Sequence, residues 1–246
     1  MDALLERPVI AGTGTAEALW AAGAEFSALP AMSLAELVPE GARLVVVAPH
    51  PDDEVLGTGA LISIAAAAGR EILIIAVTDG EASHPHHEPS VVKRVRMSER
   101  SRALWELGLA ANPVLRMGLP DGAVGKHIDA LTAQLAQLLG PDDVVFCPWD
   151  ADGHPDHEAT ALSVQTLCHT RGLRCFQVPI WGWHWCEPND FPWARAVRLD
   201  ITADTRRRKA RALDAFRSQI EDDLEQPILP AATLEHFRRA FEIFLI

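Results

Sequence analysis

The chain has 246 residues, 48% of them hydrophobic, and a formal charge of −12. That charge argues against nucleic acid and an anionic membrane surface as partners, because both bind basic faces, and no apolar run reaches the roughly 20 residues that span a bilayer. Cys147, Cys168, Cys175 and Cys186 show no Cys-x-x-Cys spacing, and the N-terminal segment lacks a basic start followed by an apolar block, so a reducing cytoplasmic compartment is expected.

Residues 1–40 read as an arm with one or two helical turns, packed across the domain surface or at a contact between copies of the chain, which leaves a homo-oligomer open. From Arg43 a repeat begins. Leu44–Ala48 reads as a strand, Val55–Ala68 as a helix closed by Gly69, and Glu71–Val77 as a strand. Ser90–Leu107 follows as a helix, Pro113–Arg116 as a short strand, Lys126–Leu139 as a helix and Val144–Cys147 as a strand. His157–Arg171 reads as a helix, Leu173–Val178 and Arg195–Ile201 as strands, Thr202–Gln219 as a charged helix, and the tail from Leu229 as helical or irregular. Short, nearly all-apolar strands alternating with helices predict an α/β fold, a Rossmann-like, mostly parallel sheet covered on both faces. No repeat or linker divides 1–246, so a single domain is expected. Right-handed crossovers put the strand C-termini along one edge, where ligands bind in such sheets.

Two acidic, histidine-bearing clusters fall on that edge. His50-Pro51-Asp52-Asp53-Glu54 ends the first strand, and Asp152-Gly153-His154-Pro155-Asp156-His157-Glu158 follows a later one. Two histidines and a carboxylate supply three ligands and leave a fourth position open, the pattern of a catalytic zinc site; ligation without thiolate also admits another divalent first-row metal. Of Asp52 and Asp53, one can ligate while the other faces a bound water. Gly57-Thr58-Gly59 invites a nucleotide-binding reading, but the acidic segment occupies the space a pyrophosphate needs, and like charges repel.

Ala48-Pro49-His50-Pro51-Asp52-Asp53-Glu54 resembles the first signature of the N-acetylglucosaminyl-phosphatidylinositol de-N-acetylase family, the LmbE-like deacetylases, and His154-Pro155-Asp156-His157 resembles its second. Arg96-x-x-Glu99, Leu119-Pro120-Asp121-Gly122 and Arg217-Ser218-Gln219 look like further family motifs, so the resemblance runs from about residue 43 to about 245. It implies an LmbE-like deacetylase fold, Zn2+ held by His50, Asp53 and His157, and Asp52 as general base. It further implies His154 facing the oxyanion and leaving amine, with Asp156 holding the other nitrogen of that ring. The implied substrate is an N-acetylated sugar or glycoconjugate, with another amide as the alternative. Some relatives carry a tyrosine where this chain has Asp152, and this chain has no tyrosine at all.

By the same resemblance Arg96 and Asp121 would grip sugar hydroxyls or phosphate, with Glu99 holding Arg96. Trp181, Trp183 and Trp185 alternate, which in a strand places them on one face. The three, Trp183 among them, could then stack on a sugar ring and His184 point into the site mouth, with packing in the core or at an interface as the competing role of the tryptophans and core packing that of His184. The loop Asp79–Pro89 follows the second strand; its histidines His84, His86 and His87 suit a polar rim better than a second metal site. Arg206–Lys209 reads as a solvated helix face.

Overall fold

The computed structural model describes residues 12, 14–109, 114–221 and 227–246. In chain order it contains α1 (Glu17–Ala22), α2 (Glu25–Ala28), α3 (Leu34–Leu37), β1 (Arg43–Ala48), α4 (Asp53–Ala67), β2 (Ile72–Ala76), α5 (Pro89–Glu106), β3 (Val114–Arg116) and α6 (Ile128–Leu138). There follow β4 (Asp143–Pro148), α7 (Pro155–Arg171), β5 (Arg174–Val178), α8 (Gly182–Trp185), β6 (Ala196–Asp200), α9 (Ala203–Leu213), α10 (Arg217–Ile220), α11 (Ala231–Glu235) and β7 (Phe241–Leu245).

The seven strands form one sheet in the order β3-β2-β1-β4-β5-β7-β6, parallel from β3 to β5. Side-chain alternation splits the core in two. Leu44, Val46, Ile74, Phe146 and Phe176 face one way, against Leu61, Leu104 and Leu213 of α4, α5 and α9. Val45, Val47, Ile75, Val145 and Cys147 face the other, against Leu131, Leu135, Val164 and Leu167 of α6 and α7. Burial on both faces is why the central strands are apolar without alternation in sequence.

Chain order reverses between β1 and β4. The chain leaves β1 towards β2 and leaves β4 towards β5, so a crevice opens beyond their carboxyl ends. Gly57 and Gly59, the residues that suggested a nucleotide loop, lie inside α4. A Cβ on Gly57 would run into the Val178 side chain, so glycine lets α4 ride close over β5.

Four expectations need correction. The tail forms β7, antiparallel to both β5 and β6; a short apolar run at a chain end reads equally as helix or strand. The helix expected over 202–219 breaks after Leu213, and Glu99 there accepts from the Ser218 backbone N–H and hydroxyl at 2.8 and 2.7 Å. Residues 182–185 are one helical turn, not a strand, because a single carboxylate, that of Asp152, gathers the N–H groups of Ile180, Trp181 and Gly182. Lys209 is buried, not solvated: its ammonium donates to Glu242 at 2.6 Å and to the Leu56 carbonyl at 2.7 Å, and Glu242 also accepts from Ala60 and Leu61 of α4.

The segment from Glu17 is fastened across the sheet's far end. Glu17 binds Arg239 through both carboxylate oxygens and accepts from His236, and the indole N–H of Trp20 donates to the Trp183 carbonyl. Arg239 lies over the rings of Phe26 and Trp183, 4.5 and 4.2 Å from their centroids. No helix among the described residues is long and apolar enough to cross a membrane.

Candidate metal centre and active site

The strand-to-helix turn after β1 supplies half of the site. Arg96 holds the turn in shape, its guanidinium donating to the carbonyls of Pro51 and Gly80 at 2.8 and 3.2 Å. Asp52 takes φ +136°, a conformation L residues rarely adopt, and the surrounding bonds must hold that strain in place. Gly80 has no Cβ for the same reason: one would overlap Arg96. Asp53 and Glu54 then open α4, where the helix dipole favours carboxylates. Behind them Glu54 is fully buried, 3.0 Å from Arg100.

The turn after β4 supplies the other half. Pro155 starts α7 and His154 caps it, the ring Nδ1 accepting from the Asp156 N–H at 3.2 Å. One turn in, His157 points back towards β1.

The two halves meet in a triangle. His50 Nδ1 and His157 Nε2 are 3.2 Å apart, and Asp53 Oδ2 lies 3.3 Å from each. Zinc bonds of about 2.0–2.1 Å in a tetrahedron imply ligand–ligand edges of about 3.3–3.4 Å, so the three atoms are spaced to share one ion. The far nitrogen of each ring is also held. His157 Nδ1 donates to Asp152 Oδ2 at 2.7 Å; His50 Nε2 lies 3.1 Å from Asp121 and 3.3 Å from Asp156. Such carboxylate–histidine pairs fix the tautomer and orientation of metal ligands. The donor set and its spacing therefore fit zinc or another divalent first-row ion. His154 completes a wider grouping with His50 and His157, their nitrogens within 4.8 Å.

Charge at the site follows from this packing. Burial opposes the positive form of His50, but Asp121, Asp156 and Asp53 outweigh it and hold the ring well above its ordinary pKa. Burial likewise opposes His157, yet Asp53 and Asp152 raise it to about 9. Against burial, His157 and His50 keep Asp53 well below the usual carboxylate range. Asp121 falls to about 2 because its bond to His50 overcomes burial. Asp52 goes the other way: burial raises it to about 7, Arg96 pulls against that shift at 3.1 Å, and Asp53 adds to it. Burial and the neighbouring His157 and His50 push His154 down to about 3.

An open cleft leads to the triangle, its lining including His50, Asp52, Asp53, Asp121, Arg96 and His154. Leu56, Trp181, Ile228 and Leu229 complete the lining, with Ser83 and Gln219.

Several expected roles move. Asp156 does not hold the His154 ring through its carboxylate; that group accepts from Gly122 and Val124 at 2.7 and 3.0 Å and faces His50. Asp121 and Arg96 line the cleft, but the Asp121 oxygens are engaged by His50 and Ala82, and the two terminal nitrogens of Arg96 by Asp52 and the turn. Glu99 binds Ser218, not Arg96. Trp183 is outside the cleft lining, buried against Trp20 and Phe191, and His184 packs against the backbone at Gly14 and Thr15. No metal-capable grouping among the described residues includes His84, His86 or His87; the His84 ring bridges Ser83 to the Ser218 carbonyl.

Asp152 is a further part of the site, and of the three alternating tryptophans it is Trp181 that reaches the cleft lining. Asp152 stood in the right cluster, but nothing in the sequence ties it to His157 before α7 is built. The profile of the family described as PIG-L, GlcNAc-PI de-N-acetylase, matches residues 45–168, just over half of the chain. The chain belongs to this family. A Mycobacterium sp. (strain JLS) 1D-myo-inositol 2-acetamido-2-deoxy-alpha-D-glucopyranoside deacetylase is 30% identical over 195 residues, covering 68% of this chain and 61% of the relative. The chain spans about half the length of the curated relatives it matches. Among solved structures, the conserved protein TT1542 from Thermus thermophilus shares 28% identity and a TM-score of 0.62 over 83% of this chain and 94% of its own. N,N'-diacetylchitobiose deacetylase from Pyrococcus horikoshii, at 21% identity and TM-score 0.57 over 83% and 84%, shares the fold.

Proposed function

We propose that the chain is a metal-dependent hydrolase that removes the N-acetyl group from an N-acetylglucosamine-type sugar or glycoconjugate. The observation that carries this reading is the placement of Asp52, with a pKa of about 7, on the cleft wall beside the His50–Asp53–His157 triangle. Membership of the PIG-L family and the similarity to sugar deacetylases support the substrate class. A zinc or other divalent ion held by His50, Asp53 and His157 would acidify a water and polarise the amide carbonyl.

The chain's own residues then divide the proton work. Asp52, ionised, takes the proton of the water that attacks the amide carbon; a base near neutral pKa both accepts and returns a proton at low cost. Arg96 orients that carboxylate. His154 acts as a neutral donor: its Nδ1 already accepts the Asp156 N–H, so the proton sits on Nε2, available to the oxygen where negative charge develops. Asp52, once it holds the proton of the water, passes it to the departing amine, and acetate leaves. Asp121 and Asp156 hold His50, and Asp152 holds His157, so that both keep their orientation through the cycle.

The test is Asp52→Asn. Zinc content should stay near one equivalent while acetate release from N-acetylglucosamine falls at least ~100-fold, the lower range for a lost general base. Turnover within a few-fold of the parent would remove Asp52 from the role.

A further inference from the structure

We infer that the cleft selects an uncharged substrate whose N-acetylated sugar carries an apolar group, seated on the wall of Leu56, Trp181, Ile228 and Leu229. This inference rests on the sugar-amide reading above and narrows it. The cleft lining is of two kinds. Part of it is carboxylate and imidazole, suited to an amide and to sugar hydroxyls; the rest offers an indole and three aliphatic side chains. A hydroxyl pressed there would lose water and gain no partner, whereas an alkyl or aromatic group loses nothing polar.

The wall is fixed in advance. The Trp181 N–H donates to Asp152 Oδ2 at 3.0 Å, and its ring stands edge-on to His184, with centroids 6.0 Å apart. Leu229 is tied by its N–H to the Gln219 carbonyl at 2.8 Å. Trp181 and Ile228 stay half-buried, leaving surface for a ligand, while Leu56 and Leu229 close the floor.

Charge excludes the other choice. Arg96 is the one lysine or arginine in the cleft lining among the described residues, and it is 3% exposed. Its two terminal nitrogens serve Asp52, Pro51 and Gly80. Apart from the ion proposed at the triangle, which the amide takes, a phosphate placed in the cleft would find no free cation in the described lining and would meet Asp52 and Asp121. The chemistry recognised is therefore a neutral alkyl or aryl glycoside, not a sugar phosphate or phosphodiester.

Two measurements on the zinc-loaded protein test this. The first compares kcat/KM for phenyl 2-acetamido-2-deoxyglucoside, free N-acetylglucosamine and N-acetylglucosamine 1-phosphate. The phenyl glycoside should lead the free sugar at least ten-fold and the phosphate should be poorest; Trp181→Ala and Ile228→Gln should each shrink the lead several-fold, with zinc content and circular dichroism unchanged. A best rate on the phosphate, equal rates on the glycoside and the free sugar, or losses alike on all three would overturn the proposal. The second reads binding of phenyl glucoside, which carries no amide, by calorimetry. Binding weakened by either substitution supports the apolar wall even if no amide is cleaved, in which case the deacetylase reading alone fails. No binding, or tighter binding of glucose 1-phosphate, sinks the wall whatever the activity.

Discussion

Replacing Asp152 by asparagine isolates the link between β4 and the metal triangle. The carboxylate has no solvent exposure and its two oxygens are fully used: Oδ1 accepts from Ile180 and Gly182 at 2.8 and 2.9 Å, Oδ2 from His157 and Trp181 at 2.7 and 3.0 Å. Asparagine keeps the shape but turns one oxygen into a donor. If its amide nitrogen faces His157, the imidazole can answer only by moving its proton to Nε2, the atom needed for the ion. If it faces Ile180 and Gly182, two buried N–H groups lose an acceptor, at about 1–3 kcal/mol each. The first arrangement costs one imidazole tautomer and the acceptor of the Trp181 backbone N–H, and outer-shell losses of this kind lower metal affinity about 10–100-fold, or about 1.4–2.7 kcal/mol. Chelator competition for zinc, run beside urea unfolding of the metal-free protein, separates the two arrangements. Zinc affinity within two-fold of the parent, with stability also unchanged, would refute the coupling.

The remaining predictions concern the base and the arm. Activity should rise through pH ~7 as Asp52 loses its proton, since its pKa is raised by burial to about 7 and only the ionised form accepts from water; a rate flat from pH 5 to 8 would contradict this. Arg96 pulls that pKa down, so in Arg96→Met the rising limb should move to higher pH by about one unit or more, read from the same profile. Glu17→Ala leaves the Arg239 side chain, 6% exposed, without its carboxylate, and a charged group left unpaired in such a partly buried site costs about 1–3 kcal/mol. Urea denaturation measures it; a change under 1 kcal/mol would show that the arm is not fastened there. Burial raises the Glu17 pKa but its bonds to His236 and Arg239 lower it further, so the stability it contributes is complete above pH ~4.5 and fades as pH falls through the depressed value.

The parallel core and both site clusters were legible because they obey local rules. All-apolar strands mark a sheet covered on both faces, and crossovers send the ends of β1 and β4 to one edge. His50, Asp53 and His157 could be picked as ligands by motif, and the structure sets them 3.2–3.3 Å apart. What sequence could not convey was long-range hydrogen bonding. One buried carboxylate, Asp152, curls 180–182 into a helical turn, which sends Trp183 into the core and leaves Trp181 at the cleft. The same limit hid Arg96's grip on Asp52, Glu99's on Ser218 and the Lys209–Glu242 pair against α4. Asp156 was placed on the wrong ring because its choice between His154 and His50 depends on the Gly122 and Val124 amides, more than 30 residues upstream. The apolar pattern of β7 was visible, but its partner strands β5 and β6 lie far back in the chain.

The most direct test of the central claim is acetate release from N-acetylglucosamine by the protein carrying one equivalent of zinc, followed before and after the ion is stripped. The account predicts turnover that disappears with the ion and returns on its restoration. Protein that holds its zinc, folds normally and releases no acetate from this sugar or its glycosides would contradict it.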